Sequence, residues 1–233
     1  MGSGKKRSME LLLDIICHDI KNINQVGMGY LELLLEDKNL GEKQREYGEK
    51  VLKAFQSSAR LIENIEKIRQ ARALKLEPLD LNCIIKEVIE EFSTPAVKDR
   101  EVKLKIKYSP RKRKNLIINS SPLVRDVFAN LLDNAIKHAG KSRVKININI
   151  EDYTWRNKEF YKITVEDNGK GMPDDLKKLF NRQVTKLKGL GLYLVKNIVG
   201  KTGGKVWVED RVKGNHAKGA RFVVILPKLA SFS

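Results

Sequence analysis

Cysteine is scarce in this sequence of 233 residues: Cys17 and Cys83 are the two, both in segments with helical patterning, and no Cys-x-x-Cys occurs. A disulfide framework is therefore excluded, and a reducing, cytoplasmic compartment is expected. The three histidines stand far apart, so zinc-type ligand spacing is missing too. No apolar run approaches the roughly 18 residues needed to cross a bilayer, and no secretory signal opens the chain. This stretch is expected to make no membrane contact, and it suits the cytoplasmic part of a membrane receptor. Aromatic residues are only 6%, and Trp155 and Trp207 form no stacking platform with nearby basic residues. Nucleic acid is accordingly not an expected partner. Met1-Gly2-Ser3-Gly4 reads as an expression scar, and residues 1–8 are set aside as tag and linker.

What is present is charge, placed unevenly. Residues 9–77 hold 11 Lys/Arg against 12 Asp/Glu, a net of −1, whereas residues 78–233 hold 32 against 17, a net of +15. The second part can attract a polyanion, with nucleotide phosphates one candidate and nucleic acid another.

The first part is helical by its spacing. Leu13, Ile16, Ile20, Ile23, Tyr30 and Leu34 recur in three- and four-residue steps over 9–37. Tyr47, Val51, Ala54, Ser58, Leu61, Ile65 and Ile68 do the same over 42–74, with a turn at 37–41 broken by Gly41. At 1.5 Å per residue the first arm is about 43 Å long. Two such helices cannot cover both apolar stripes, so a homodimeric four-helix bundle is the economical arrangement. Packing of the hairpin on the rest of its own chain is the alternative.

After Pro78 the pattern changes. A helix is expected at 82–92, strands at 101–107 and 116–118, and a helix from Pro122 to about Ala139 started by the Ser121 hydroxyl and the proline. Strands at 144–150 and 160–166, a loop region, a helix at 191–201 and strands at 205–209 and 221–226 complete an α+β two-layer sandwich, giving domains at 9–77 and 78–233.

Five short motifs carry chemistry. In His18-Asp19-Ile20-Lys21-Asn22, His18 points about 160° away from Ile16 and Ile20 and so faces solvent, with Asn22 one turn on. An exposed imidazole whose neighbouring carboxylate holds one ring nitrogen protonated leaves the other free to attack. Asn130 and Asn134 share a helix face with Lys137 one turn further, a set suited to a metal-bound polyphosphate. His138 ends that helix, as a nucleotide contact or as a partner of the helix dipole. Asp167-Asn168-Gly169-Lys170-Gly171 follows an apolar strand and offers a carboxylate to an exocyclic amine. Gly189-Leu190-Gly191-Leu192 opens a helix whose free N–H groups favour phosphate. Gly219-Ala220-Arg221-Phe222 enters the last strand.

In this order and spacing the motifs resemble those of the sensor histidine kinases of two-component signalling, over nearly all of residues 9–228. The hairpin looks like their dimerisation and phosphotransfer domain, and the remainder like the Bergerat-type ATP-binding domain shared with gyrase. The resemblance implies a protein-histidine kinase that phosphorylates His18 from ATP and passes the group to a response-regulator aspartate, with phosphatase activity toward that partner. It makes Asp19 the general base and Asn22 the residue orienting water for dephosphorylation. It assigns Mg²⁺ to Asn130, the phosphates to Asn134 and Lys137, the adenine amine to Asp167, and the shaping of that pocket to Gly169 and Gly171. Gly189, Gly191 and Leu192 are to border the phosphates. ATP-hydrolysing relatives carry glutamate where Asn130 stands; an amide cannot take a proton from water, which favours transfer over hydrolysis.

The chain departs from the pattern in places. Eight residues separate Phe180 from Gly189, a short lid; Leu187 replaces a glycine, Ala220 a hydroxyl residue, and the usual proline after the histidine motif is missing. Arg182, Lys186 and Lys188 are expected to compensate by reaching the γ-phosphate. The competing readings are an ATP-sensing scaffold or phosphatase with little kinase activity, and a basic nucleic-acid-binding protein.

Overall fold

The computed structural model describes residues 2–71, 75–93, 101–109, 115–140, 143–182 and 189–229. It divides into two compact units, Met1–Arg69 and Gln70–Ser233.

The first unit is a helical hairpin of α1 (Gly2–Glu36) and α2 (Glu42–Gln70). Residues 2–8, set aside as linker, are helical: once a helix is nucleated each added residue gains a hydrogen bond, and no proline interrupts the run. The turn is well satisfied. Arg45 donates to the carbonyl of Leu35 (2.7 Å), in the last turn of α1, and to that of Asp37 (2.8 Å), which also accepts from Leu40 N–H. Gln44 accepts from the Gly41 N–H at 2.9 Å, as in a capping box.

The contact between the two helices centres on a stripe offset from the one the apolar spacing selects, sharing Ser58 with it. Cys17, Asn24, Gly48 and Ile62 are buried, and the Asn24 amide donates to Ser58 Oγ at 3.0 Å. Gly27 lies against the Phe55 ring and Gly48 against Leu35. Arg69 pairs with Asp14, and Lys21 with Glu66 at 3.6 Å. Leu13, Ile16, Ile23, Tyr30 and Leu34 are left exposed, as are Tyr47, Val51 and Leu61 on α2. The apolar face thus points away from the hairpin's own seam.

The second unit is an α/β sandwich. Its strands are β1 (Glu77–Asp80), β2 (Glu101–Ser109), β3 (Ile117–Ser120), β4 (Arg143–Trp155), β5 (Lys158–Asp167), β6 (Lys205–Val212) and β7 (Asn215–Pro227). Five form a mixed sheet in the order β2-β4-β5-β7-β6, with β2 parallel to β4 and the other neighbours antiparallel. β1 and β3 make a separate antiparallel pair. Ile146, Ile148, Ile163, Val165, Phe222 and Val224 alternate onto one face and are buried. The buried faces of α3 (Leu81–Ser93), α4 (Val124–Lys137) and α6 (Leu190–Lys201) supply Ile85, Val88, Phe128, Leu131, Leu194 and Ile198 to the core.

Two further departures concern helices. α4 begins two residues later than the Ser-Pro signal implies. Val124 N–H donates to the Ser121 carbonyl and Asp126 N–H to that of Leu123, so Pro122 and Leu123 form a tighter turn ahead of the helix. The Ser121 hydroxyl accepts from Leu123 N–H at 3.1 Å within that turn. The expected loop region contains α5 (Asp174–Asn181). Tertiary contacts hold this short helix: Asn181 exchanges two hydrogen bonds with the Val208 backbone (3.0 and 2.9 Å), and Phe180 meets Phe222 edge-on with centroids 5.8 Å apart.

Candidate functional site

In the hairpin the structure brings His18, Asp19 and Asn22 together. The imidazole is on the outer side of α1, with 72% of its side-chain surface exposed. Its Nδ1 lies 3.3 Å from Asp19 Oδ1, and the Asn22 amide nitrogen is 3.3 Å from Nδ1 and 3.5 Å from Nε2. With Nδ1–H donated to the carboxylate, Nε2 keeps the lone pair and the Asn22 amide can donate to it. Cys17, one residue away, is on the inner side; burial and the nearby Glu66 carboxylate push its thiol up, so it is a poor thiolate.

In the sandwich, register places the second cluster. Asp167 is the last residue of β5 on the helix-facing side, opposite Ile146 of β4, and so is buried at a strand end. Its Oδ1 accepts from Gly169 N–H at 2.8 Å and Ala220 N–H at 3.3 Å. Burial raises its pKa; the two backbone N–H groups and the Arg211 and His138 charges offset part of that rise. Asn130 is fixed by its amide donating to the Asp126 carbonyl at 2.8 Å. Its Oδ1 is turned to the start of α6, where a β-carbon added to Gly191 would lie 2.4 Å away. Asn130 and the amino end of α6 therefore form one corner, with Gly189 at the helix N-cap. Asn134 is half-buried one turn along α4.

Other expected contributors are placed differently. Lys137 pairs with Asp133 on its own helix, so engaging a phosphate requires exchanging that partner. His138 is the exposed C-cap of α4, and its carbonyl accepts from Lys170 N–H at 3.2 Å. Arg182 caps α5, Leu192 is half-buried on α6, and Lys186 and Lys188 lie outside the described residues.

Sequence reading missed Arg211 and the Ala220 N–H. Arg211 donates to the Lys218 carbonyl at 2.7 Å and contributes positive charge near Asp167. No local motif marks it, because only the β6–β7 hairpin brings it there. That hairpin also explains Gly171, whose φ is +66° and whose added β-carbon would lie 1.7 Å from the His216 carbonyl oxygen. Gly171→Ala is expected to cost several kcal/mol, lowering Tm by about 5 to 15 °C and weakening nucleotide binding. Gly214→Ala is the control: it shares a positive φ of +74° but has nothing within 4 Å, so it should cost only about 1–2 kcal/mol.

The described residues hold no group of three or more His, Cys, Asp or Glu able to bind a metal ion by themselves. One amide oxygen at Asn130 fits a hard cation held chiefly by phosphate and water. No described helix is long and apolar enough to cross a membrane.

Residues 119–230 match the model of the histidine kinase-, DNA gyrase B- and HSP90-like ATPases. The chain is 29% identical over 92% of its length to hybrid signal transduction histidine kinase A of Dictyostelium discoideum, covering 10% of that protein. It spans between about a tenth and three fifths of the length of the first curated relatives it matches. The catalytic domain of histidine kinase ThkA superposes with a TM-score of 0.55 at 26% identity, covering 66% of this chain and 98% of that one. ThkA solved in complex with the response regulator protein TrrA superposes with a TM-score of 0.58 over 97% of this chain and 64% of that one; at 22% identity this shows a shared fold.

Proposed function

We propose that this chain is a sensor histidine kinase, which moves the γ-phosphoryl group of ATP onto His18 and from there to an aspartate of a response-regulator receiver domain; the match to the ATPase model and the likeness to histidine kinases support this reading. The observation that carries this reading is the exposed imidazole with a carboxylate 3.3 Å from its Nδ1, in a chain that also carries the ATP-binding fold. Nε2 attacks the γ-phosphorus, an N–P bond forms, and the bridging P–O bond breaks with its electron pair leaving on ADP. Asp19 takes up the Nδ1 proton as the ring becomes cationic.

The sandwich positions the donor. Asp167 keeps one oxygen for the adenine amine while its Oδ1 is occupied by backbone. Asn134 and the amino end of α6 face the phosphates, and Asn130 Oδ1 would hold Mg²⁺. When bound, the cation neutralises phosphate charge. The exposed apolar face of α1 and α2 supports a homodimer, in which a second copy would cover that face as a four-helix bundle. That ThkA was solved with the response regulator protein TrrA supports a response regulator as partner, and Asn22 beside the ring suits it to orient water for hydrolysis of the partner's phospho-aspartate.

The test is labelling with γ-labelled ATP and Mg²⁺. An acid-labile, alkali-stable label on the protein is expected. Bound nucleotide with no label at any pH would overturn the kinase reading in favour of an ATP-sensing scaffold. Guanine presents a carbonyl where adenine presents its amine, so GTP should label about 10⁴-fold less efficiently; equal labelling would remove the Asp167 assignment.

A further inference from the structure

The Gly219-Ala220-Arg221-Phe222 motif enters the regular part of β7 from an irregularity in the sheet. β6 and β7 pair at Asp210 with Ala220 and again at Val212 with Asn215. Between those pairs β6 has one residue, Arg211, whereas β7 has four, His216 to Gly219. The surplus on β7 must arch away from the ladder. The arch lands on the loop that follows β5. A β-carbon added to Gly219 would lie 2.0 Å from the Asp167 carbonyl oxygen, and one added to Gly171 would lie 1.7 Å from that of His216. Directly after the arch, Ala220 N–H donates to Asp167 Oδ1 at 3.3 Å.

An arch of this kind needs a brace, because its backbone groups have left the β-ladder. Arg211 is the residue that stands opposite it. Its Nε donates to the Lys218 carbonyl at 2.7 Å and lies 3.0 Å from the position of the added Gly219 β-carbon. Among the described residues no carboxylate forms an ion pair with its guanidinium. We infer that Arg211 is a positioning residue of the nucleotide-base site: its Nε–H braces the 216–219 arch against the 167–171 loop, and its guanidinium supplies positive charge beside the Asp167 carboxylate. The charge role rests on Asp167 reading the base; the brace does not. Burial pushes the Asp167 acid toward its neutral form, and the Arg211 charge opposes this, as does that of His138 at the end of α4. Lys170, His216 and Lys218, on the same loop and arch, are exposed, where water weakens their field.

Two substitutions separate the brace from the charge. In Arg211→Gln the side-chain NH₂ stands at the same distance along the chain as the arginine Nε, so a donor remains and the charge is lost. Arg211→Lys keeps the charge but has a methylene at that position. The whole chain is titrated calorimetrically with a non-hydrolysable ATP analogue and Mg²⁺ across the acid range, and amide exchange is measured on the nucleotide-free protein. Arg211→Gln should keep wild-type exchange at Ala220 while moving the acid limb of nucleotide affinity up by about one pH unit. A merely structural role would lower affinity alike at every pH. Arg211→Lys should leave the limb in place and speed Ala220 exchange by about tenfold. His138 is common to all these proteins, so its own titration drops out of the comparison. An acid limb unmoved in Arg211→Gln, where Asp167→Asn abolishes it, overturns the charge role, and unchanged exchange in Arg211→Lys overturns the brace. If Asp167→Asn keeps both tight binding and the limb, the base-reading assignment fails and the charge role with it, and the exchange data decide the brace.

Discussion

His18→Gln should abolish acid-labile labelling, by about 10³-fold or more, and leave the rest of the molecule intact. Glutamine keeps a polar side chain of similar reach, but its amide nitrogen has no basic lone pair with which to attack phosphorus. The substitution is made at a side chain with 72% of its surface exposed, on the side of α1 away from Cys17 and Asn24. Its effect on stability should stay within about 0.5 kcal/mol. Nucleotide affinity, measured on the same sample, should not change, because His18 belongs to the other compact unit. That pairing of results distinguishes a lost nucleophile from a damaged fold. Label that persists in His18→Gln would end the case for this residue. Asp19→Asn is the graded companion: an amide can still accept from Nδ1–H but cannot take its proton, so the rate should fall while the geometry survives.

The hairpin was legible because helical periodicity and a glycine-marked turn are local signals. Two features of it were not. The spacing of Leu13, Ile16, Ile23, Tyr30 and Leu34 identified an apolar stripe, yet the intrachain seam is built on Cys17, Asn24, Gly48 and Ile62. Small and polar residues in that seam let larger ones pack closely, Gly27 against Phe55 and Gly48 against Leu35, and a hydropathy pattern does not register closeness. In the sandwich, strands and long helices were readable from alternation and length. α5 was not, since Asn181 and Phe180 hold it through partners on β6 and β7. The site motifs could be found by order and spacing, and so could the outward face of His18. The support for Asp167 could not. Ala220 offers a backbone N–H that looks the same for every residue except proline, and Arg211 arrives only through a hairpin register.

Asp167→Asn should leave the empty protein at least as stable and remove most of its affinity for ATP. Burial is the main reason the Asp167 acid is weakened, so its charged form is the one the fold disfavours. A carboxyl whose folded pKa is raised contributes stability below its unfolded pKa and loses it as pH rises through the folded value. At neutral pH an uncharged isostere therefore escapes that penalty, while its oxygen still accepts from the Gly169 and Ala220 N–H groups. With the oxygen committed there, the substituted side chain must turn its NH₂ toward the adenine amine, setting donor against donor. Losing a hydrogen bond to a charged acceptor and leaving a donor unsatisfied together cost about 3–4 kcal/mol, or about 10²–10³-fold in Kd. The same linkage sets the acid limb of the wild-type protein. As pH falls, Asp167 protonates above the ordinary carboxylate range, and a carboxyl that must place its own hydrogen accepts the amine poorly. Nucleotide affinity should therefore decline toward acid from a higher pH than a surface aspartate would give, and Asp167→Asn should flatten that limb. Calorimetric titration of both proteins across the acid range measures both effects; a substituted protein that binds ATP as tightly as the wild type, with the acid limb preserved, would show that Asp167 does not read the base.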